Sequence, residues 1–389
     1  MKIKIINEIF VFREGINEME NAKIDSKQLF SLMFLFQLGT GIVTRMGMQA
    51  KQDAWISITI GMIGALMLFY FVYLQIFKRY PTLPFTGILE NVFSKYIGLP
   101  LGLVYIGYFF FVASFNLRHL GDTMGTYILA ETPIPVIMFI SLLLVSYACY
   151  LGIEVLGRTA EILIAAMAAF GIIGNLTVLA SGIIKLKNVQ PVLEFGWLPV
   201  LKQAIPLIIF FPFGEIFLFL MLFPYLNKPE LVKKPGLLSI LLSGLGLSWT
   251  FLLNISVLGA GAQNVEIPLL AAVEKINVGN IIERMDSIVV GTFAVGFFSK
   301  IFLYVYVILI GLTDIFKFKR YQPLIFPVVS IIFIISIVGA KNKVAYQNFF
   351  YYQMPYLIGF PLLVGVPVIV LLMIGVRSLF GKSRSTIQK

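Results

Sequence analysis

The 389-residue sequence predicts an all-α integral membrane protein of ten spanning helices, arranged as two inverted halves of five. Three observations carry this expectation. Only 13% of the residues are charged while 59% are hydrophobic, and mean hydropathy is +0.93. A soluble domain covers its surface with about 25% charged residues, so most of this surface faces something other than water. Second, apolar stretches recur that reach the about 20 residues needed to cross a hydrocarbon core of about 30 Å. Third, a short pattern recurs half a chain apart, "LPFTGILEN" at 83–91 and "IPLLAAVEK" at 267–275.

The elements follow in order. Residues 1–27 are expected to form a cytosolic tail. They mix charges of both signs and lack a continuous apolar core, so they do not resemble a cleaved signal peptide. The "DSKQ" beginning at Asp25 has the character of a helix cap leading into the first span. Spans are expected near 28–49, 54–77, 98–127, 134–151, 157–183, 200–226, 236–259, 284–313, 323–339 and 355–377. "TPIP" at 132–135 punctuates a turn. Lys and Arg concentrate in alternate connections, at "KR" 78–79, Lys233 and Lys234, "KFKR" 317–320 and the tail "GKSRSTIQK". By the positive-inside rule both termini are then cytosolic.

In the repeated pattern a proline is followed six residues later by a glutamate, and an unusually long span comes next. Pro84 and Pro268 are 184 residues apart (268 − 84). An odd number of spans per half makes the halves face opposite ways, a common plan among transporters. The expected division is 28–183 for the first repeat, 184–199 for a linker, 200–377 for the second repeat and 378–389 for a cytosolic C-terminal tail.

The net charge of +11 does not point to nucleic acid, because the basic residues sit in short loops between spans and are not interleaved with aromatics. Cys149 is the only cysteine and His119 the only histidine. A disulfide and a thiolate metal cage are therefore excluded within the chain, and the single histidine argues against metal catalysis and against Ser-His or Cys-His hydrolysis. No clustered acid–base constellation suggests an enzyme, and neither a metal nor another cofactor is expected.

The repeat aligns spans one and six, and both are interrupted near mid-membrane. Span one, "LFSLMFLFQLGTGIVTRMG", holds Gly39, Thr40 and Gly41, and span six holds Phe211, Pro212, Phe213, Gly214 and Glu215. Unpaired backbone groups cost several kcal/mol in lipid, so irregular backbone survives there only inside protein or along a cavity. Amides near Gly39–Gly41 could hold a carboxylate, and carbonyls near Phe211–Phe213 an ammonium group. Crossed broken helices would suit a small zwitterion such as an amino acid. Either break alone is better explained by small-residue helix packing or a proline kink. Matching breaks in both halves favour a ligand site. Glu215 either caps the second half-helix, the preferred reading, or acts as a protonatable gate.

Ionisable residues inside spans are functional candidates. Arg118 and Asp122, four apart on one face, are expected to pair, either as structure or at the ligand. Arg158 and Glu161 are expected to form an interfacial pair. Lys300 either snorkels toward the cytosolic surface or fixes a positive charge inside the bundle.

Several stretches resemble a known family. "LGTGIV" is similar to the first-helix signature of the amino acid–polyamine–organocation superfamily. "FPFGEIFLFLMLFPYLNKP" (211–229), "ERMDSI" (283–288) and "ASFNLRHLGDTM" (113–124) resemble the B-subunit, or GerAB-type, family of bacterial spore germinant receptors, over about Asp25 to Gly375. The resemblance implies a LeuT-like 5+5 fold with helices 1 and 6 broken. It also implies a receptor role in the spore inner membrane, with A-type and C-type subunits as partners and small germinants, often amino acids, as ligands. It further implies that Tyr108 lines the pocket, and that Ser287, Gly291 and Thr292 of span eight face the broken part of span one. Lys300 would then stand where sodium-coupled relatives bind an ion. The alternative function is a proton- or sodium-coupled amino acid transporter using the same site.

Overall fold

The computed structural model describes residues 23–276, 286–339 and 343–386. Asp25 opens the first helix as expected. Its carboxylate accepts from the Lys27 and Gln28 amides at 2.7 and 2.8 Å, while the Gln28 side chain accepts from the Asp25 amide at 3.0 Å. This reciprocal capping box starts α1, Ser26–Gly41. Next come α2 (54–79), carrying a π-helical turn at Phe69–Tyr73, and the short α3, Phe85–Phe93. Helix α4 spans Lys95–Tyr127, α5 Ile134–Leu151 and α6 Ile153–Ala180.

Helix α7, Trp197–Met221, is interrupted, and α8 runs Lys233–Leu258. The short α9, Pro268–Val273, precedes α10, Asp286–Phe316. Helix α11, Ile325–Val338, and α12, 343–386, complete the chain. Both stretches of the repeated pattern are thus short helices entered through a proline, Pro84 and Pro268. Among the described residues eight helices are long and apolar enough to cross a membrane. Helices α1 and α11 are apolar but shorter.

Burial sorts the helices. Helices α7 and α10 are apolar on all sides and buried along most of their length, which makes them the centre of the bundle. Helix α6 instead turns Ile162, Ile172 and Leu176 outward, as a lipid-facing helix would. Helix α1 packs between α8, α10 and α6, and α10 packs along α4. The bundle has two ends. The terminal end carries Asp25, α3 and the C-terminal part of α12. The distal end carries the segments 42–53, 181–196 and 259–264.

One expected pair is corrected. Arg158 bonds Glu154 at 2.5 Å on an exposed face, and not Glu161. A glutamate one full turn before the arginine is the better-placed partner on a helix, because its charge also suits the N-terminal dipole.

Candidate functional site

Glycine brings α1 and α10 together. A Cβ built on Gly39 would overlap the Gly296 backbone, and one on Gly296 would overlap that of Gly39. Helices α1 and α10 therefore touch backbone to backbone, the close approach that small residues permit in membranes. The contact sets Thr40 against Lys300, one turn along α10 from Gly296. Lys300 Nζ donates to Thr40 Oγ1 at 3.0 Å.

This corrects the expectation for span one. Helix α1 stays helical through Gly41, and the Ile42 amide still bonds the Leu38 carbonyl at 2.9 Å. Gly39 and Gly41 offer no free amides to a carboxylate. Unwinding begins after Gly41 and runs to Gly47, where φ is +72°. The Gly41 carbonyl is taken by the Thr44 hydroxyl at 3.0 Å.

The break in α7 lies where the sequence places it. Phe211 is extended, with φ −130° and ψ 125°, and a second non-helical residue is Ile205. Pro212 has no amide to donate, and Gly214 lies against the Ile209 carbonyl with no room for a Cβ. The chain resumes as a 3-10 helix over Gly214–Met221. Glu215 lies in its first turn, but its carboxylate makes no cap, contrary to the preferred expectation. It turns sideways to α10 and forms a fully buried ion pair with Lys300. Tyr304, one turn beyond Lys300, donates its hydroxyl to the other carboxylate oxygen at 2.7 Å.

Lys300 is equally enclosed and does not snorkel. Its ammonium lies 4.1 Å from the centroid of the Phe211 ring and 5.2 Å from that of Phe36, within cation–π range. One buried cluster thus joins α1, both parts of α7 and α10. Ion pairs in low dielectric barely repay their desolvation, yet losing one partner costs about 3–5 kcal/mol.

Tyr108 of α4 lies near this cluster, within electrostatic reach of Glu215 and Tyr304. Its buried hydroxyl makes no hydrogen bond of good geometry among the described residues. Phe213 is buried in the same region.

The remaining expected residues lie elsewhere. Thr292 lines a separate cavity of about 60 Å³ together with Ile42, Thr250 and Asn254, whose buried Nδ2 has no partner among the described residues. Gly291 faces the Phe170 ring of α6. Ser287 falls outside the residues whose side chains are described. Arg118 and Asp122 pair as expected, at 2.8 Å and partly exposed.

A larger cavity of about 230 Å³ opens at the distal end, against the unwound segment after α1 and the start of α7. Arg45, Gln49, Gln203, Gln263, Asn264 and Tyr351 contribute to its wall. An aromatic layer separates it from the buried pair. The Phe211 ring is 6.4 Å from Tyr351 and 6.1 Å from Phe350, which stacks on Phe115 of α4 at 3.6 Å. Sequence reasoning missed Arg45, Tyr351 and Tyr304. Only Tyr304 left a signal, being one helical turn from Lys300 in an otherwise apolar run.

A family model described as Spore germination protein matches residues 23–344. The chain is 35% identical to Spore germination protein KB of Bacillus subtilis (strain 168) over 325 residues, covering 83% of this chain and 87% of that protein. It is 23% identical to Spore germination protein YndE of the same organism, over 81% and 87% of the two chains. Among solved structures, a histidine-to-alanine mutant of the Eremococcus coleocola manganese transporter superposes with a TM-score of 0.56 at 15% identity, over 90% of this chain and 76% of that one. The last likeness shows a shared LeuT-like fold and nothing about substrate. The described residues of this chain hold no group of three or more His, Cys, Asp or Glu side chains fit for a metal.

Proposed function

Because this chain belongs to the spore germination protein family, we propose that it is the membrane subunit of a germinant receptor. It binds a small germinant, an amino acid, between the unwound segment that follows α1 and the break in α7. The observation that carries this reading is the Glu215–Lys300 pair. It ties the broken part of α7 to α10, and through Thr40 to the end of α1, directly beneath an aromatic layer and a cavity. A ligand shifts a two-state bundle only through unequal affinity for its states. Germinant that parts the aromatic layer at Phe211 disturbs the pair below it, and α1, α7 and α10 then move relative to one another. The shift passes to A-type and C-type partner subunits in the spore inner membrane. In this reading the two halves form an inverted repeat and both termini are cytosolic.

The test is a thermal-shift screen of the purified chain in lipid nanodiscs against amino acids and nucleosides. An amino acid that raises the unfolding midpoint supports the reading, and a response to nucleosides alone overturns the ligand class. The transporter alternative is separated by uptake. Liposomes bearing the chain that accumulate labelled amino acid against its gradient would replace the pure receptor reading.

A further inference from the structure

The distal cavity has a charge pattern of its own. Arg45 lies on the unwound segment after α1 and is exposed. Its guanidinium makes no ion pair among the described residues. Among the described residues no carboxylate and no second cation contribute to the cavity wall, which is otherwise built from carboxamides, tyrosines and methionines. Glu266, which lies near Tyr351, is outside this wall and is bonded by Gln347 Nε2 at 3.3 Å. Gln203 donates to Gln49 Oε1 at 3.0 Å, which pins the start of α7 to the segment that carries Arg45. The cavity measures about 230 Å³, whereas a single water needs only about 10–15 Å³.

We propose that this cavity is a binding station for a small molecule bearing one carboxylate. The carboxylate meets the Arg45 guanidinium, whose planar fork can hold both oxygens at once. The neutral carboxamides of Gln49 and Gln263 supply donors and acceptors to the polar remainder. One free cation in a cavity without acids attracts an anion and disfavours a cationic molecule of the same shape. Arg45 therefore selects by charge before a ligand reaches the Phe211 layer. This rests on the reading that ligands approach at the unwound segment after α1 and the break in α7, although the site stands apart from the Glu215–Lys300 pair.

The full chain offers a direct test, because its single cysteine, Cys149, is buried and leaves an introduced thiol as the reporter. Asn264→Cys places a thiol on the exposed rim of the cavity. Its rate of modification by a methanethiosulfonate reagent is measured in nanodiscs with propionate, propionamide or alanine present. Propionate is expected to slow modification and propionamide to leave it unchanged. Adding Arg45→Gln is expected to raise the propionate concentration for half protection by roughly tenfold, while Arg45→Lys retains part of the protection. Equal protection by propionamide, no protection by propionate, or protection that survives Arg45→Gln overturns the proposal. Propionate protection without alanine protection would keep the anion station and sink the amino acid reading. An alanine thermal shift without propionate protection would do the reverse.

Discussion

Gly39 and Gly296 meet backbone to backbone, closer than any Cβ allows. The contact fixes where α1 crosses α10, and hence that Thr40 reaches Lys300. The polar centre of the bundle depends on two residues that carry no functional group.

Gly39→Ala and Gly296→Ala should each destabilise the chain by about 1–3 kcal/mol, the usual range for overpacking a close contact. Here backbone, not a flexible side chain, is what must move. Thermal unfolding in nanodiscs checks this. Gly107, with open space where its Cβ would lie, is the control. Gly107→Ala should be neutral or slightly stabilising, because alanine is the better helix former.

The buried pair predicts strong non-additivity. Glu215→Gln or Lys300→Met alone leaves one buried group without its counter-charge, a loss of about 3–5 kcal/mol. The double variant removes both charges and should recover most of that loss. Equilibrium unfolding of the wild type, both single variants and the double variant gives the coupling energy. Losses that simply add would mean that the two side chains do not pair.

Tyr304 and Tyr108 separate a hydroxyl bonded to a carboxylate from one that is not. Tyr304→Phe removes a hydrogen bond to a carboxylate, worth about 1.5–3 kcal/mol. Tyr108→Phe removes a hydroxyl that makes no bond of good geometry, and should shift stability by no more than about 0.5 kcal/mol. If Tyr108 lines the germinant path, its variant should alter the ligand response while leaving the unfolding midpoint in place.

Charge alone does not confer importance. Arg158 and Glu154 pair at 2.5 Å, but on a solvated or headgroup-facing surface. Arg158→Gln should change stability by less than about 1 kcal/mol, well below the effect expected for Lys300→Met in the same assay.

Much of this was legible in the sequence. The apolar runs locate the helices, Asp25 and Gln28 mark the first cap, and Arg118 and Asp122 pair at the spacing that a helix dictates. Pro212 and Gly214 announce the break in α7. The less legible features depend on neighbours far away in the chain. Lys300 and Glu215 are 85 residues apart, and periodicity says nothing about which helix faces which. Gly-x-Gly in α1 fits either an unwound helix or a tight crossing, and only the position of Gly296 decides for the crossing. Thr292 has the right chemistry and lies at the right end of α10, yet the helix turns it toward a different cavity. Arg45 sits in a segment with no periodicity at all, and it becomes a cavity residue only when α7 and the start of α12 close around it.

The central claim is that germinant acts through the Glu215–Lys300 pair. The most direct measurement is amino acid binding to the full chain in nanodiscs, comparing the wild type with the Glu215→Gln and Lys300→Met double variant. Both unfolding midpoints are recorded with and without ligand. A folded double variant whose ligand-induced shift is abolished or reduced at least roughly tenfold in apparent affinity, about 1.4 kcal/mol, is the predicted result. A double variant that binds the same amino acid with unchanged affinity and an unchanged shift would contradict it.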